Sequence, residues 1–212
     1  MQKDEKNLDG AYALGSPEAN RRFYDDWAGS YESGFVQERG YRIPGLIAKA
    51  FAALAGSEDT PVLDIGAGTG LVAEALAGLG DWQVDALDIS LEMLRVAQAK
   101  GRYRNYLEAD LSGRTPIEAA SYGAAISSGT FTHGHLGPGG LDEVLRVVRP
   151  GGLVAITINE EHYAASGFGE KFTALQDKIS QPRFSSARVY RNRVGDGHDD
   201  DTVLLTLFRK RD

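Results

Sequence analysis

The segment Val62-Leu63-Asp64-Ile65-Gly66-Ala67-Gly68-Thr69-Gly70 holds the most informative chemistry in the chain. An apolar run breaks into three glycines at alternate positions, and a helical run from Leu71 to Leu79 follows. Such a turn lets the backbone approach a ligand, because glycine offers no side chain to block contact or positive φ. It reads as a nucleotide-cradling turn. Its spacing is G-x-G-x-G, whereas the dinucleotide fingerprint is G-x-G-x-x-G, and position 71 is Leu. No Lys-Ser/Thr pair follows, so a phosphate-gripping loop is excluded. An acidic residue, Asp64, stands inside the turn.

The elements around this turn follow from hydrophobic periodicity. Residues 1–20 read as a loose arm. From Asn20 to Tyr31, Phe23, Tyr24, Trp27 and Tyr31 recur at helical spacing. A second helix, Tyr41–Leu54, puts Ile43, Leu46, Ile47, Ala50 and Leu54 on one face. Strands and helices then alternate: strands at Val62–Ile65, Trp82–Leu87, Tyr103–Leu107, Gly123–Ser127 and Leu153–Ile158. The helices between them are Leu71–Leu79, a Ser90-capped run through Leu91, Leu94 and Ala97, and Gly139–Val148. A helix near Phe172–Ile179 precedes two strands, about Ala187–Val194 and Thr202–Arg209, flanking the turn Gly195-Asp196-Gly197-His198. Alternating βα units followed by a hairpin describe an open α/β sheet with an antiparallel edge.

Composition narrows the function. The 212 residues suit one domain with a real core, and a net charge of -7 argues against a large nucleic-acid footprint. The basic cluster Arg183, Arg188, Arg191 and Arg193 alternates like a solvated strand face. The chain has no cysteine, so disulfides, thiolate nucleophiles and Cys-ligated zinc are impossible. Residues 1–10 show no apolar signal core, and no stretch approaches 18 apolar residues. The expectation is a cytoplasmic protein without a membrane segment.

Four motifs in order make the chain similar to the class I S-adenosylmethionine-dependent methyltransferases. Val62–Gly70 resembles the family's first motif, and Ala86-Leu87-Asp88-Ile89-Ser90 its acidic second-strand end. Glu108-Ala109-Asp110-Leu111 resembles its adenine-side segment, and residues 145–152 the turn into the fifth strand. The run Tyr24-Asp25-Asp26-Trp27-Ala28-x-x-Tyr31 looks like the cofactor lid of small-molecule methyltransferases. That lid segment and the run Gly129–His135 are also similar to the methyltransferase-like proteins of the Williams–Beuren region, whose substrates do not transfer by motif. The resemblance implies a Rossmann-like, seven-stranded, mostly parallel sheet with an antiparallel C-terminal hairpin strand and helices on both faces. It divides the chain into an arm and lid helix, 1–40, and an S-adenosylmethionine-binding domain, 41–212.

It also implies a cofactor, S-adenosyl-L-methionine, with S-adenosyl-L-homocysteine as product, and a set of residues to hold it. Gly66, Ala67 and Gly68 would let the backbone approach, while Gly70 permits close helix packing. Asp64 anchors the methionine end or holds the glycine loop, and the two roles are compatible. Asp88 accepts two bonds from the ribose diol or caps the next helix, a service Ser90 already offers. Ile89 and Leu111 sandwich the adenine or belong to the core, and Met93 completes that side. Asp110 accepts from the adenine amine or is a solvated turn residue. Ser128 and Gly129 lie below the methionine and sulfonium. Tyr24 and Tyr31 touch ligand from the lid, and Trp27 is mostly structural. Tyr12 and Tyr163 line the substrate mouth or an ordinary rim.

Phe131, His133 and His135 form a further set. Two histidines that close are too few for zinc, so no metal is expected. His133 or His162 serves as a substrate-facing base, since free histidine titrates near neutrality. His198, between charged residues in a turn, is expected to be solvated. The implied reaction is methyl transfer to an O, N or S nucleophile of a small molecule, by a monomer or homodimer. The alternatives are a protein or nucleic-acid methyltransferase of this fold, and a non-catalytic cofactor-binding module. No nucleic acid is expected as partner: Ser127-Ser128-Gly129-Thr130 stands where amino-methylating nucleic-acid enzymes carry a Pro-Pro-Tyr motif.

Overall fold

Strands buried on both faces put a parallel sheet at the centre of the molecule. In the computed structural model residues 6–212 are described; residues 1–5, the start of the expected arm, lie outside the described residues. Val62–Ile65 (β1) and Val84–Asp88 (β2) are buried at every position, as continuous apolar runs require. Tyr106–Glu108 (β3), Tyr122–Phe131 (β4) and Val148–Asn159 (β5) extend the parallel set. Arg183–Arg188 (β6) and Thr202–Arg209 (β7) add the antiparallel edge. Among the described residues the order is β3-β2-β1-β4-β5-β7-β6. The sequence expectation of a seven-stranded, Rossmann-like sheet with a reversed C-terminal hairpin is met.

Side chains leave successive strand positions on opposite faces, so each strand feeds two cores. Val62, Ala124 and Ala155 face the helices Ile43–Ala52 (α4), Leu71–Ala77 (α5) and Leu91–Lys100 (α6) through Ile47, Phe51, Val72 and Leu94. Leu63, Ala125 and Ile156 face the opposite layer, built by Gly140–Val147 (α7), Glu160–Ala165 (α8) and Phe168–Ala174 (α9). Leu141, Val144, Phe168 and Phe172 are among the buried side chains that this layer contributes from α7 and α9.

The N-terminal segment departs from the loose arm expected of residues 1–20. Leu8–Tyr12 (α1) and Pro17–Trp27 (α2) are helices, each started by a side-chain cap. Asn7 accepts from Gly10 N–H, and Ser16 accepts from Ala19 N–H with Pro17 in the first turn. The chain then runs through a π-turn, Glu32–Val36, into the short helix Gln37–Arg39 (α3), which ends at Gly40 in the left-handed region.

Other boundaries moved for physical reasons. β4 continues past Ser127 to Phe131 across a register shift, because Gly129 adopts φ 79 and re-aims the strand. β6 lies at Arg183–Arg188, not 187–194. It is an exposed edge strand that carries almost no apolar signal. Residues 189–201 therefore form a long connection rather than a tight hairpin turn. Arg193 in that connection pairs with Asp200, so the basic cluster is not one strand face.

Below the site, buried Asp85 fastens three parts of the sheet. It accepts from Arg104 Nε at 2.9 Å and Nη2 at 2.8 Å, from Asn105 Nδ2 at 3.1 Å and from Tyr122 Oη at 2.9 Å. Replacing it leaves a buried tyrosine hydroxyl without its partner, at a cost of about 2 kcal/mol. Asp85→Ala is expected to lower stability by that amount in urea unfolding; a change within error removes Asp85 as a tie.

Candidate active site

Each parallel strand ends on the same side of the sheet, and there the chain opens a cavity of about 520 Å³. The β1–α5 turn forms its floor. Gly66 takes φ 64, and a Cβ there would lie 2.0 Å from Thr130 Oγ1. Thr130 is fixed in turn, since its hydroxyl and that of Ser127 both donate to the Ile65 carbonyl. Gly68 takes φ 53, and a Cβ there would meet nothing within 4 Å. This glycine faces open space. At Gly70, φ 92, a Cβ would sit 3.2 Å from Tyr103 and 3.3 Å from Ala97, so this glycine serves helix packing.

Asp88 ends β2 and locks this floor. Its Oδ2 accepts from Gly68 N–H at 2.8 Å, and its Oδ1 accepts from Ser90 N–H at 2.8 Å. Ser90 Oγ accepts from Met93 N–H at 3.1 Å and donates to Asp25 Oδ1 at 2.7 Å. Ser90 is thus the helix cap, and Asp88 is free of that duty. Each Asp88 oxygen retains acceptor capacity toward the cavity it lines. Burial pushes its carboxyl above the ordinary range, against the opposing N–H bonds of Ser90 and Gly68.

Asp64 is fully buried one strand away. Tyr103 Oη donates to its Oδ2 at 2.6 Å, and its Oδ1 has no hydrogen-bond partner among the described residues. Burial pushes this carboxyl up to about 7, with the Tyr103 bond opposing and the charge of Asp88 adding.

The wall residues follow from the elements that carry them. Ala67, Ile89, Met93, Asp110 and Leu111 line the end of the cavity above β2 and β3, with Asp110 holding Ser112 N–H at 2.8 Å. Tyr24, Trp27 and Tyr31 line it from α2 and the turn after it, with Trp27 4% exposed in a cluster with Phe23 and Met93. Ser128 and Gly129 line it from β4, and His162 from α8. Two expected site residues are not on the wall. Asp64 sits behind the glycine turn, and His133 packs its ring against Tyr12 and His162, at 5.5 and 5.1 Å between centroids.

The histidines are committed elsewhere. His162 Nε2 faces the Leu136 carbonyl at 3.2 Å and must donate, while its Nδ1 takes the Ser166 hydroxyl at 3.0 Å. His135, which does line the cavity, donates from Nδ1 to the His133 carbonyl at 2.7 Å. Its Nε2 then accepts from Tyr24 Oη at 2.8 Å. Burial lowers the pKa of both rings and keeps them neutral. His198 is half-buried rather than solvated, with Nδ1 3.2 Å from Asp201 and Nε2 3.0 Å from Asp9. Tyr12 lines the cavity; Tyr163 does not, and stacks on Phe168 instead. Among the described residues no cluster suits a metal ion.

Three residues were not legible in the sequence. Asp25 docks α2 on the start of α6 through Ser90 and Glu92 N–H, across a separation that no local pattern reveals. Tyr41 lines the wall with Oη 3.2 Å from Ser128 Oγ, and Tyr190 joins it through a β-bridge from the 189–201 connection. Burial raises the Tyr41 phenol to about 12, against the bond to Ser128.

This geometry has known counterparts. A methyltransferase domain family matches residues 63–156. The match runs from β1 into β5 and spans less than half of the chain. Human methyltransferase-like protein 27 is 32% identical over 163 residues, covering 75% of this chain and 65% of that protein. A malonyl-[acyl-carrier protein] O-methyltransferase from Salmonella typhimurium is 36% identical over 104 residues, 49% of this chain and 41% of the relative. The chain thus spans less than two thirds of the length of the curated relatives it matches. Among solved structures, the [4+2]-cyclase SpnF superposes with a TM-score of 0.70 at 17% identity, covering 93% of this chain and 97% of that one. A Haemonchus contortus phosphoethanolamine N-methyltransferase gives 0.66 at 17%, covering 93% and 60%. At such identities the structural likeness shows the fold alone.

The raised Asp64 carboxyl has a measurable consequence. Its folded pKa lies above the unfolded value, so the folded state binds the proton more tightly, and its favourable contribution is complete below about pH 4. That contribution is lost as pH rises through about 7. Asp64→Asn keeps an acceptor for Tyr103 and abolishes the ionisation. The variant is expected to gain on the order of 4 kcal/mol on the parent between pH 4 and pH 8. Parallel stability curves for the two proteins across that range would refute it.

Proposed function

We propose that the chain binds S-adenosyl-L-methionine in this cavity and catalyses transfer of its methyl group to a nucleophile of a small molecule. The observation that carries the reading is Asp88, which holds the glycine turn through Oδ2 and the start of α6 through Oδ1, and lines the cavity with acceptor capacity left on both. The residues fit such a cofactor. Gly68 on the wall opens to free space where a Cβ would project, and Asp64 Oδ1, behind the turn, is a buried acceptor without a partner among the described residues. When bound, the cofactor supplies an activated methyl group on a cationic sulfur.

The chain's own residues would bind and orient. Asp88 would take the ribose hydroxyls, with Ile89 and Leu111 against the base and Asp110 on its amine. Gly66, Ala67 and Gly68 would admit the backbone to close contact, and Asp64, behind that turn, would act on the amino end of the methionine through the loop rather than by touching it. Met93, Trp27, Tyr24 and Tyr31 would cover the cofactor, and Ser128 and Gly129 would border the transferred methyl. Holding donor and acceptor in line removes much of the entropic barrier, so alignment is the main contribution the site must make. Neither His133, off the wall, nor His162, with both ring nitrogens engaged, is placed to act as base without rearrangement. The same reading keeps the protein without a nucleic-acid partner and in the cytoplasm. Among the described residues no helix is long and apolar enough to cross a membrane.

The test is calorimetric titration of S-adenosylmethionine and S-adenosylhomocysteine; absence of binding by both ends this reading. Asp88→Ala would confound the result by releasing Gly68 and Ser90 N–H together. Asp88→Asn keeps one acceptor oxygen for one of these N–H groups, turns an NH2 toward the other and removes the charge. It is expected to weaken binding of both molecules by about ten-fold or more while leaving helix content unchanged. Unaltered affinity removes Asp88 from the ribose.

A further inference from the structure

The cavity wall is selective in what it lacks. Among the described residues that line it there is no lysine and no arginine. Its carboxylates, Asp88 and Asp110, lie at the end assigned above to the nucleoside. Beyond Ser128 and Gly129 the wall is aromatic. Phe35, Tyr41 and Tyr190 meet one another at centroid distances of 5.7, 5.8 and 6.1 Å. Tyr41 Oη stands 2.7 Å from where a Gly129 Cβ would be, so the wall reaches the end of β4 itself. Its polar atoms there are neutral: the Tyr41–Ser128 pair, and Thr157 Oγ1, which accepts from Gly129 N–H.

This wall discriminates among acceptors. A carboxylate or phosphate would be desolvated with no cation on the wall to receive it, which is costly, because Arg39 stacks on Phe35 and Tyr190 without lining the cavity and is paired with Asp196. An alcohol would need a base, and both histidines on the wall have their two ring nitrogens engaged. An amine needs neither. Transfer into an apolar site favours its uncharged form, which carries the nucleophilic lone pair. Aromatic faces attract cations: Arg39 already sits over Phe35 and Tyr190, and Tyr41, beside Ser128 on the wall, offers its ring where the product charge would arise.

We propose that the acceptor is an apolar primary or secondary amine, seated on the Phe35–Tyr41–Tyr190 wall with an N–H donated to the Tyr41–Ser128 pair. This rests on the methyl-transfer reading and narrows it. The nitrogen lone pair forms the new N–C bond as the C–S pair returns to sulfur. One positive charge leaves sulfur and appears on nitrogen, so the cavity holds the same net charge before and after. The methylated ammonium keeps its proton until it reaches water.

The test supplies the purified protein with methyl-labelled S-adenosylmethionine and a small-molecule cell extract, then sorts labelled products by charge and base stability. At least about ten-fold more label is expected in base-stable products retained by a cation exchanger than in all others. Label released by base as methanol marks an ester and overturns the proposal. Label in neutral ethers or thioethers overturns it equally. No label in any fraction, with S-adenosylmethionine binding intact, sinks the methyl-transfer reading and this inference with it.

Discussion

The two N–H bonds to the Asp88 carboxylate are the interaction on which the rest of the site depends. Gly68 takes a left-handed φ with open space where a side chain would project, and a glycine there has many other conformations available. A charged acceptor at the end of the neighbouring strand selects one of them. The same carboxylate orients Ser90, which starts α6 and receives Asp25 from α2. One side chain thereby sets the relative positions of a glycine turn, a helix start and the helix that covers them. The Ile65 carbonyl makes a matching joint on the other side, where Ser127 and Thr130 fasten β4 to β1.

The sheet makes this economical. Parallel strands end together, so acids placed at strand ends converge without any long-range design. Ties such as Asp85 stand at the opposite end, where they hold register and leave the ligand end open. The fold itself does not dictate chemistry. A [4+2]-cyclase shares it at a TM-score of 0.70, so what this chain does must be argued from the wall of its cavity.

Legibility in the sequence followed the physics of each feature. The strand-turn-helix of Val62–Leu79 and the acids Asp88 and Asp110 were readable because apolar runs and glycines are local signals. So was the reversed hairpin at the far edge, although β6, Arg183–Arg188, was misplaced because an exposed edge strand need not be apolar. Helix α1 and the first turn of α2 fall where a loose arm is expected, since five residues in α1 make a weak pattern. The rest of α2 shows in the spacing of Phe23, Tyr24 and Trp27, although much of what holds it is remote. Asn20 donates to the Gly134 carbonyl, and Asp25 reaches Ser90. The histidines show the limit most clearly. Nothing local distinguishes His133, which misses the cavity, from His135, which lines it while spending both nitrogens on neighbours.

The Asp25–Ser90 contact carries a thermodynamic obligation. Ser90 belongs to the floor through Asp88 and to the cover through Asp25, so the seating of α2 and the order of the glycine turn share one joint. Coupling free energies are reciprocal. Whatever free energy a seated α2 lends to a ligand on the floor, that ligand returns to the seating of α2.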